Sequence, residues 1–242
     1  MTEFSSQTQK DDNFCFPIPD VLENDRVKVV PFIPAHHAQP LFSIIDIPLW
    51  QYIPFGPYTS ASDMVNGLWE GRMHARSSET LFVIYDKTQT PEETAIVGAI
   101  GFVNASPTDL LAEIGPIIVS SQFQGKGIAV NAVGLLMHYA LDLPERGGLG
   151  LRRLQWHANV VNEGSVKLAE KMGFVKEGVM RWHRVLERGK GKEVGSNGRK
   201  VRKGDPREGW EGRDSVLLAV CWDEWEDGGR EKVDKIMGLD RR

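Results

Sequence analysis

Cysteine is scarce in this sequence: the 242 residues include only two, Cys15 and Cys221, which lie far apart. Two distant cysteines exclude a disulfide framework and a cysteine-rich metal site. The six histidines also lack the H-E-x-x-H and C-x-x-C patterns that commonly hold zinc. The sequence therefore predicts no metal, and a reducing compartment is the expected setting.

Long apolar runs are missing as well. No stretch approaches the roughly 18 apolar residues of a transmembrane helix, so no membrane span is expected. The first thirty residues hold Asp, Glu and Pro and no uninterrupted apolar segment, so no signal peptide is expected. A net charge of −4 gives no general reason to expect nucleic acid or an acidic membrane as a partner. We therefore expect a protein of the cytoplasm, with the nucleus as the alternative.

What the sequence does contain fits one compact enzyme domain. Apolar residues make up 41% of the chain, which is enough for a sizeable core, and a charged fraction of 26% is ordinary. We predict a loose, polar and proline-bearing arm over residues 1–20, a folded domain over 21–226 and a tail over 227–242. A monomer and a homodimer are both compatible with the sequence.

Hydrophobic periodicity predicts alternating strands and helices within that domain. The predicted strands are 27–30, 81–86, 95–104, 113–119, 151–158, 179–186 and 215–222, with a hairpin turn over 87–93. The predicted helices are 35–45, 60–72, 130–141 and 163–172, with Ser60 or Ser62 as a cap and Gly173 as a stop.

The segment 187–213 differs in composition from the rest of the domain. It holds seven glycines, nine Lys or Arg residues and five Asp or Glu residues, and almost nothing apolar. Such a segment buries too little surface to offset the entropy of ordering it, so a mobile loop is predicted. It is either a solvated insertion or a basic flap over an acidic or phosphate-bearing partner.

The segment from Val119 to Ala129 joins a predicted strand to a predicted helix through a turn that contains Gly125 and Gly127. Successive backbone N–H groups of such a turn meet the positive end of the helix. Glycine has no Cβ, so an anion can approach the backbone closely. The segment predicts an anion site of diphosphate size, built mainly of main chain, although an ordinary glycine turn has the same pattern.

The spacing of the motif decides which phosphate site it resembles. A Walker loop needs Ser or Thr after its lysine, but Gly127 follows Lys126. A dinucleotide fingerprint needs a third Gly or Ala where this chain has Val130. The pattern that remains is Q-x-x-G-x-A, formed by Gln124, Gly127 and Ala129.

This pattern resembles the acyl-CoA pyrophosphate loop of the GNAT superfamily of N-acyltransferases, [R/Q]-x-x-G-x-[G/A]. Further segments are similar to the Rim-type branch, which contains the ribosomal-protein N-terminal acetyltransferases. The resemblance covers about 27–225 and is tightest over 112–181. The segments that carry it are Leu49-Trp50, Pro54-Phe-Gly-Pro57, Ala112-Glu-Ile-Gly115, Asn162-Glu-Gly-Ser165, Glu170-Lys-Met-Gly-Phe174 and Glu177-Gly178.

The resemblance implies an α/β GNAT fold, with a mixed, mostly antiparallel sheet of six or seven strands and helices on both faces. It implies transfer of an acetyl group from acetyl-CoA to a primary amine of a protein N-terminus, a lysine or a small molecule. Direct attack is expected, because neither cysteine has a local nucleophile signature. The residues that the resemblance places at acetyl-CoA are Ile117, Ile118, Val119, Gln124, Gly125, Lys126, Gly127, Ile128, Ala129, Asn162 and Lys171.

Glu113 is the first candidate for the general base, because its position is similar to that of the catalytic glutamate in histone-type members. Period-2 alternation would place Glu113 on the same face as Ile117 and Val119. The alternative is a solvent-facing or ion-paired strand glutamate. Some Rim-type members use a glutamate on a later strand, but the aligned position here is Arg184. His183 is the substitute candidate there, unless it is a structural or solvent-facing histidine.

The resemblance also supplies a donor for the leaving thiolate. Ser165 is the position that lies near the CoA sulfur in the family, and Asn162 is the position that bonds the pantetheine chain. Asn162 can equally cap the helix that begins at Glu163.

An aromatic cluster, Trp50, Tyr52, Phe55 and Tyr58, is expected either to wall the acceptor cleft or to pack under a loop. A different class of function also remains, namely a non-catalytic acyl-CoA-binding module. A nucleic-acid binder that acts through residues 188–213 is the third alternative.

Overall fold

The computed structural model describes residues 13–90, 96–187 and 195–239. Its centre is an eight-stranded sheet in the order β1-β2-β3-β4-β5-β6-β8-β7. All neighbouring pairs are antiparallel except β5 and β6, which are parallel. The strands are β1 Leu22–Glu23, β2 Val27–Pro31, β3 Thr80–Asp86, β4 Ile96–Ser106, β5 Leu111–Val119, β6 Arg153–Asn159, β7 Val175–Leu186 and β8 Glu211–Cys221.

Helices cover both faces of this sheet. A 3-10 turn at Ile47–Trp50 follows the first helix, and the second helix continues as a π-helix over Val65–Met73. In the part of the chain that the structure describes, no helix is long and apolar enough to cross a membrane. The α-helices are α1 Pro34–Ile44, α2 Ala61–Met64, α3 Ile128–Leu141, α4 Glu163–Lys171, α5 Trp222–Glu224 and α6 Arg230–Met237.

The sheet separates two hydrophobic cores, and β3 contributes to both of them. Phe82 and Ile84 pack into the core beneath α3 and α6, whereas Leu81 and Val83 pack into the core beneath α1 and α2. A strand that is apolar at consecutive positions suits a sheet covered on both faces. The predicted α/β sheet with helices on both faces is confirmed. It has eight strands rather than six or seven, because the two-residue β1 also pairs.

The predicted elements agree with the structure except at their ends. Ser60 caps α2 by accepting a hydrogen bond from Asp63 N at 3.0 Å, and Gly173 follows α4 with a φ of 100°. The predicted hairpin turn over 87–93 and the start of the next strand at 95 fall partly outside the described residues.

The two parallel strands separate soon after they meet. β5 pairs with β6 at Leu111, Ala112 and Glu113, opposite Arg153, Leu154 and Gln155. Beyond this point β5 continues beside β4 and β6 continues beside β8. A wedge therefore opens in the middle of the sheet, and its two walls belong to the two halves of the chain.

A bulge in β5 changes which residues share a face. Phe102 pairs with Ile114 and Ile100 pairs with Ile117, so β5 contains one extra residue between these pairs. Before the bulge Ile114 packs into the core beneath α3, and after it Val119 does so. The expectation that Glu113 shares a face with Ile117 and Val119 is therefore wrong, because the extra residue reverses the alternation.

The N-terminal segment is part of the fold where the structure describes it. Phe14 is buried and its ring stacks on Phe102, with the ring centres 6.3 Å apart. Cys15 N donates a hydrogen bond to Ser77 O, and Tyr139 donates its hydroxyl hydrogen to Pro17 O. The prediction of a loose arm is wrong for residues 13–20, and residues 1–12 lie outside the described part.

The C-terminal segment also belongs to the domain rather than forming a separate tail. The indole of Trp225 donates to Asp142 Oδ1 over 3.0 Å, and Arg230 Nε donates to the same oxygen over 2.9 Å. The side chain of Met237 lies against Gly134 of α3, where a Cβ would be 2.2 Å from its sulfur. The predicted boundary at 226 therefore has no structural counterpart in residues 227–239.

The predicted mobile loop over 187–213 differs from the structure at its C-terminal end. Residues 211–213 begin β8, and Arg213 is buried. Residues 195–210 make contacts with the sheet: Asn159 Nδ2 donates to Gly195 O at 2.9 Å, and Arg199 lies 3.3 Å from Asp214. Residues 188–194 lie outside the described part.

Candidate active site

The wedge between β5 and β6 contains a cavity of about 750 Å³, within the roughly 300–1,000 Å³ of ordinary small-molecule sites. One wall is the end of β5 with the following loop and the start of α3, and the other is α4. Nearly all the residues predicted to bind acetyl-CoA line this cavity. They are Ile117, Ile118, Val119, Gln124, Gly125, Gly127, Ile128, Ala129, Asn162 and Lys171.

The loop before α3 owes its shape to two glycines. Gly125 and Gly127 have φ values of 73° and 82°, a region that residues with a Cβ rarely adopt. Gln124 Nε2 donates to Val119 O at 3.2 Å and so ties the loop to the strand. Lys126 is outside the cavity lining, with its ammonium 5.3 Å from the centre of the Phe123 ring.

The end of β5 presents main-chain donors to the wedge. Ser120 N donates to Val97 O at 2.9 Å. Because bonded and non-bonded pairs alternate in an antiparallel ladder, Ile118 forms the next bonded pair with β4. The N–H groups of Ile117 and Val119 therefore point away from β4, toward the side from which β6 has separated.

Asn162 and Ser165 lie at the start of α4 and face the cavity. Asn162 Oδ1 accepts a hydrogen bond from Ser165 N at 3.1 Å, so this residue caps the helix, as the sequence allowed. Ser165 Oγ accepts a hydrogen bond from Trp156 Nε1 at 3.0 Å. The serine oxygen is thus held in place while its hydroxyl hydrogen can turn toward the cavity.

A second cavity joins the first one near the middle of the wedge. It reaches toward the segment 51–58 on one side and toward β7 and β8 on the other. The ionisable residues that line it are Arg72, Glu113, His157, His183, Arg184 and Arg213. The residues that line both cavities are Leu49, Tyr52, Ile117, Trp156, Asn162 and Ser165.

Glu113 lies at the point where β5 and β6 separate. Its side chain is buried, and its Oε2 accepts a hydrogen bond from Asn104 Nδ2 at 2.6 Å. His157 Nδ1 of β6 lies 2.8 Å from the same oxygen, in a close contact that is not aligned as a hydrogen bond. The carboxylate is therefore a buried side chain in a polar cavity, and the solvent-facing alternative for Glu113 is excluded.

His183 lies beside this pair. Its ring centre is 4.8 Å from that of His157. Burial, together with the charges of Arg184, His157 and Arg213 and against the opposing effect of Glu113, lowers the pKa of His183 to about 4. His183 is therefore neutral near pH 7, and a group with so low a pKa is a weak proton acceptor.

The predicted aromatic cluster divides into two parts. Tyr52 and Phe55 line the second cavity. Trp50 and Tyr58 line neither cavity and instead pack edge to face, with ring centres 5.1 Å apart. Burial raises the pKa of Tyr58 to about 12, which keeps its hydroxyl protonated.

Sequence reasoning missed several residues of the site. Trp156 of β6 carried no motif, and only the fold brings its indole nitrogen to Ser165. Arg213 was assigned to a mobile loop because of the composition around it. Arg72 and Asn104 carried no motif, since only the folded sheet brings them to the cavity.

Within the described residues, no group of three or more His, Cys, Asp or Glu side chains is placed to hold a metal ion. The site thus consists of main-chain donors, one buried carboxylate, histidines, a serine and arginines. A wedge in a mixed sheet, with a glycine turn at a helix start and a buried carboxylate where two strands separate, is an arrangement typical of α/β enzymes that transfer a group from a coenzyme.

Comparison with known proteins identifies the family. The model of the acetyltransferase (GNAT) domain matches residues 26–175. This is well over half of the chain, so the protein belongs to the GNAT acetyltransferases and is an acyltransferase.

Solved structures share the fold at low sequence identity. A GCN5-related N-acetyltransferase from Brucella melitensis superposes with a TM-score of 0.70 and 21% identity, over 91% of this chain and 87% of that one. The RimL ribosomal L7/L12 alpha-N-protein acetyltransferase gives 0.61 and 21%, over 83% and 93%. The ribosomal-protein-S5-alanine acetyltransferase from Vibrio fischeri gives 0.60 and 19%, over 85% and 98%. No curated protein sequence matches the chain.

Proposed function

We propose that the protein transfers the acetyl group of acetyl-CoA to the primary amine of a bound acceptor by direct attack in a ternary complex. The observation that carries this proposal is the junction of two cavities at Ile117, Trp156 and Ser165. One cavity has the anion-binding turn and the other has the buried carboxylate Glu113. Two reactants that enter from the two sides would meet at this junction.

The first cavity fits the coenzyme that the family uses. The turn at Gly125 and Gly127 offers N–H groups to a diphosphate at the positive end of the 14-residue helix α3. The N–H groups of Ile117 and Val119 lie along the wedge, where pantetheine amides and the thioester oxygen need donors. Acetyl-CoA supplies the thioester, whose thiol is a good leaving group.

Glu113 would accept the proton that the acceptor amine has to lose. An amine arrives mostly as ammonium, since its pKa is near 8 for an α-amine and about 10.4 for a lysine. Asn104 and His157 hold the carboxylate at the junction. The neutral amine nitrogen then bonds to the carbonyl carbon of the thioester as the carbon–sulfur bond breaks. The second proton that the nitrogen loses passes to the departing sulfur, so the products are an N-acetylated acceptor and the thiol of CoA.

Ser165 would donate a hydrogen bond to the departing sulfur. Trp156 occupies one lone pair of the serine oxygen, which leaves the hydroxyl hydrogen free. Asn162 fixes the start of α4 that carries this serine. Neither Cys15 nor Cys221 lines the two cavities, which favours direct attack over a covalent cysteine route.

Two observations bear on the chemical class of the acceptor, and they point in different directions. Two of the similar structures are protein N-terminal acetyltransferases by name, which keeps a protein N-terminus among the acceptors. However, the position that aligns with the base glutamate of some Rim-type members is Arg184 in this chain, and Arg184 lines the second cavity. We therefore retain protein N-termini, lysines and small amines as the acceptors to be compared.

The test is thiol release from acetyl-CoA with peptide N-termini, lysine peptides, amino acids and polyamines as acceptors. Glu113→Gln should lower kcat by about 10²–10⁴-fold with the accepted class, because it removes a general base. Glu145→Gln is the matched control, since Glu145 is exposed and lines neither cavity. The control should keep full activity.

Two outcomes would contradict the proposal. Activity that survives Glu113→Gln would show that the base is another group. Tight binding of CoA without turnover for any acceptor would favour a non-catalytic acyl-CoA-binding module instead.

A further inference from the structure

Arg213 is a buried cation without a carboxylate partner among the described residues. Only 6% of its surface is exposed. One terminal nitrogen donates to Tyr52 O at 2.9 Å, while its buried Nε has no hydrogen-bond partner. Since a buried charge is costly unless it is paired, this side chain is prepared for an anion that the chain itself does not supply.

Arg184 stands directly opposite Arg213 on the neighbouring strand. Opposite residues in an antiparallel pair have their side chains on the same face, and both arginines line the second cavity. In the described part of the chain Arg184 forms no ion pair. Burial, with a smaller contribution from the charge of Arg184 and against the opposing effect of Glu113, lowers the pKa of Arg213 to about 10, so this guanidinium group is still charged at neutral pH.

The other charged groups of the cavity already have partners. Arg72 Nε lies 3.0 Å from Glu79 Oε2, and its guanidinium covers the Phe55 ring at 4.7 Å. Among the described residues that line the cavity, Glu113 is the one acidic residue, and it contacts Asn104 and His157. The cavity therefore has a carboxylate base at one wall and two unneutralised cations at another.

We propose that the natural acceptor is a small primary amine that also carries a carboxylate or phosphate group. The anion would bind between Arg184 and Arg213 while the amine faces Glu113. Guanidinium groups suit both anions, because their planar fork donates two parallel hydrogen bonds. A polyamine carries only positive charges, so the two arginines would repel it. This inference rests on the proposed function and specifies the acceptor of the same site.

The test compares acceptors that differ only in the anion. Amino acids are assayed against their amides, and 2-aminoethyl phosphate is assayed against ethanolamine, with acetyl-CoA saturating. The anionic member of at least one pair should have the higher kcat/KM by about tenfold or more, mainly through KM. A preference for the amino acid over its amide identifies a carboxylate as the bound anion. A preference for 2-aminoethyl phosphate over ethanolamine identifies a phosphate.

Arg184→Gln should reduce this preference to near one by raising KM for the anionic acceptor, with KM for acetyl-CoA unchanged. Arg184→Lys should restore part of it. Arg181→Gln is the matched control, because Arg181 is exposed on the same strand and lines neither cavity. A preference for the anionic acceptor that is equal in Arg184→Gln and in the wild type would overturn the inference.

Failure of the inference is distinguishable from failure of the proposed function. Equal kcat/KM for the neutral and anionic members of both pairs would overturn the inference and leave the acetyltransferase proposal intact. If no acceptor is acetylated, calorimetric binding of the same acids decides the inference directly. Acid binding that is absent, or equal in the wild type and Arg184→Gln, would overturn it.

Discussion

Trp156 donates the hydrogen of its indole nitrogen to Ser165 Oγ across 3.0 Å, and so joins strand β6 to helix α4 at the mouth of the wedge. Trp156 is buried, and its ring packs edge to face on Phe174 with centres 5.4 Å apart. The serine that the family motif places at the CoA sulfur is therefore held by a core residue. Its position depends on the packing of the core as well as on the helix cap.

Ser165→Ala is expected to lower kcat by about tenfold at most, because a thiol with a pKa near 8.5 leaves with little assistance. It also leaves the buried indole N–H without an acceptor, which should cost about 1–3 kcal/mol of unfolding free energy. Steady-state kinetics and urea unfolding measure the two effects. A loss of kcat by a factor of a thousand would instead make the serine an obligatory acid.

Trp156→Phe in the background of Ser165→Ala provides the control for this interaction. If the hydrogen bond is the main link between the two residues, Trp156→Phe should lower the unfolding free energy less in the Ser165→Ala variant than in the wild type. An equal loss of unfolding free energy in both proteins would show that the two side chains act independently.

Gly125→Ala should weaken binding of acetyl-CoA. A left-handed φ costs a residue with a Cβ roughly 1–2 kcal/mol, and here the added methyl would also enter the space that a diphosphate needs. Gly147→Ala is the matched control: Gly147 also has a left-handed φ and open space around its Cβ position, but it lines neither cavity. Calorimetry should show similar losses of stability and a loss of CoA affinity in the first variant alone.

Trp225→Phe should reduce the unfolding free energy by about 1 kcal/mol, the usual net value of one hydrogen bond, since it removes the donor to Asp142. Trp222→Phe is the control, because Trp222 is half exposed. Acetyl transfer should be unaffected in both variants, since neither tryptophan lines the wedge. Equal melting temperatures for the two variants would contradict the role of the C-terminal segment in the fold.

Stability should fall as the pH is lowered from about 6.5 to 4, in part because of His37. Ile33 N donates to His37 Nδ1 at 2.8 Å, so that nitrogen has to be unprotonated. Burial lowers the pKa of His37 to about 4, and the neighbouring His36 adds to the effect. The unfolded chain therefore takes up the proton first, and the stability present above pH 6.5 is lost as the pH falls toward 4.

His37→Gln should make the unfolding free energy less dependent on pH within this window, as measured by urea unfolding at several pH values. His183 titrates in the same window for the same reason, so the dependence is reduced rather than abolished. His36→Gln should reduce the pH dependence only slightly, because the charge of His36 is the smaller cause of the lowered His37 pKa and His36 itself is exposed. An unchanged pH dependence in His37→Gln would show that His37 titrates normally.

The coenzyme side of the site could be predicted from the sequence because it depends on local chemistry. Gly125 and Gly127 are needed wherever the chain takes a left-handed turn, and a helix start with Asn162 and Ser165 three residues apart is readable as a cap. These signals involve neighbours along the chain. They remain valid whatever the rest of the fold does.

The acceptor side could not be predicted in the same way, because it depends on pairing between distant segments. The bulge opposite Gly101 reverses the alternation that sequence reasoning assumed for Glu113. Arg213 contacts the main chain of Tyr52, which is 161 residues away in sequence. Phe14 follows a polar stretch of sequence, and its stacking on Phe102 in the folded structure shows that the segment is part of the core.

Because β5 and β6 pair at only three positions, the proposed site is divided between the two halves of the chain. The anion-binding turn, the β5 amides and Glu113 belong to the half that precedes the wedge, whereas His157, Ser165, Arg184 and Arg213 belong to the half that follows it. Neither half contains a complete set of reacting groups. The 2.8 Å contact between Glu113 and His157 joins the two halves at the point where the strands begin to separate, so a substitution of either residue acts on both halves at once.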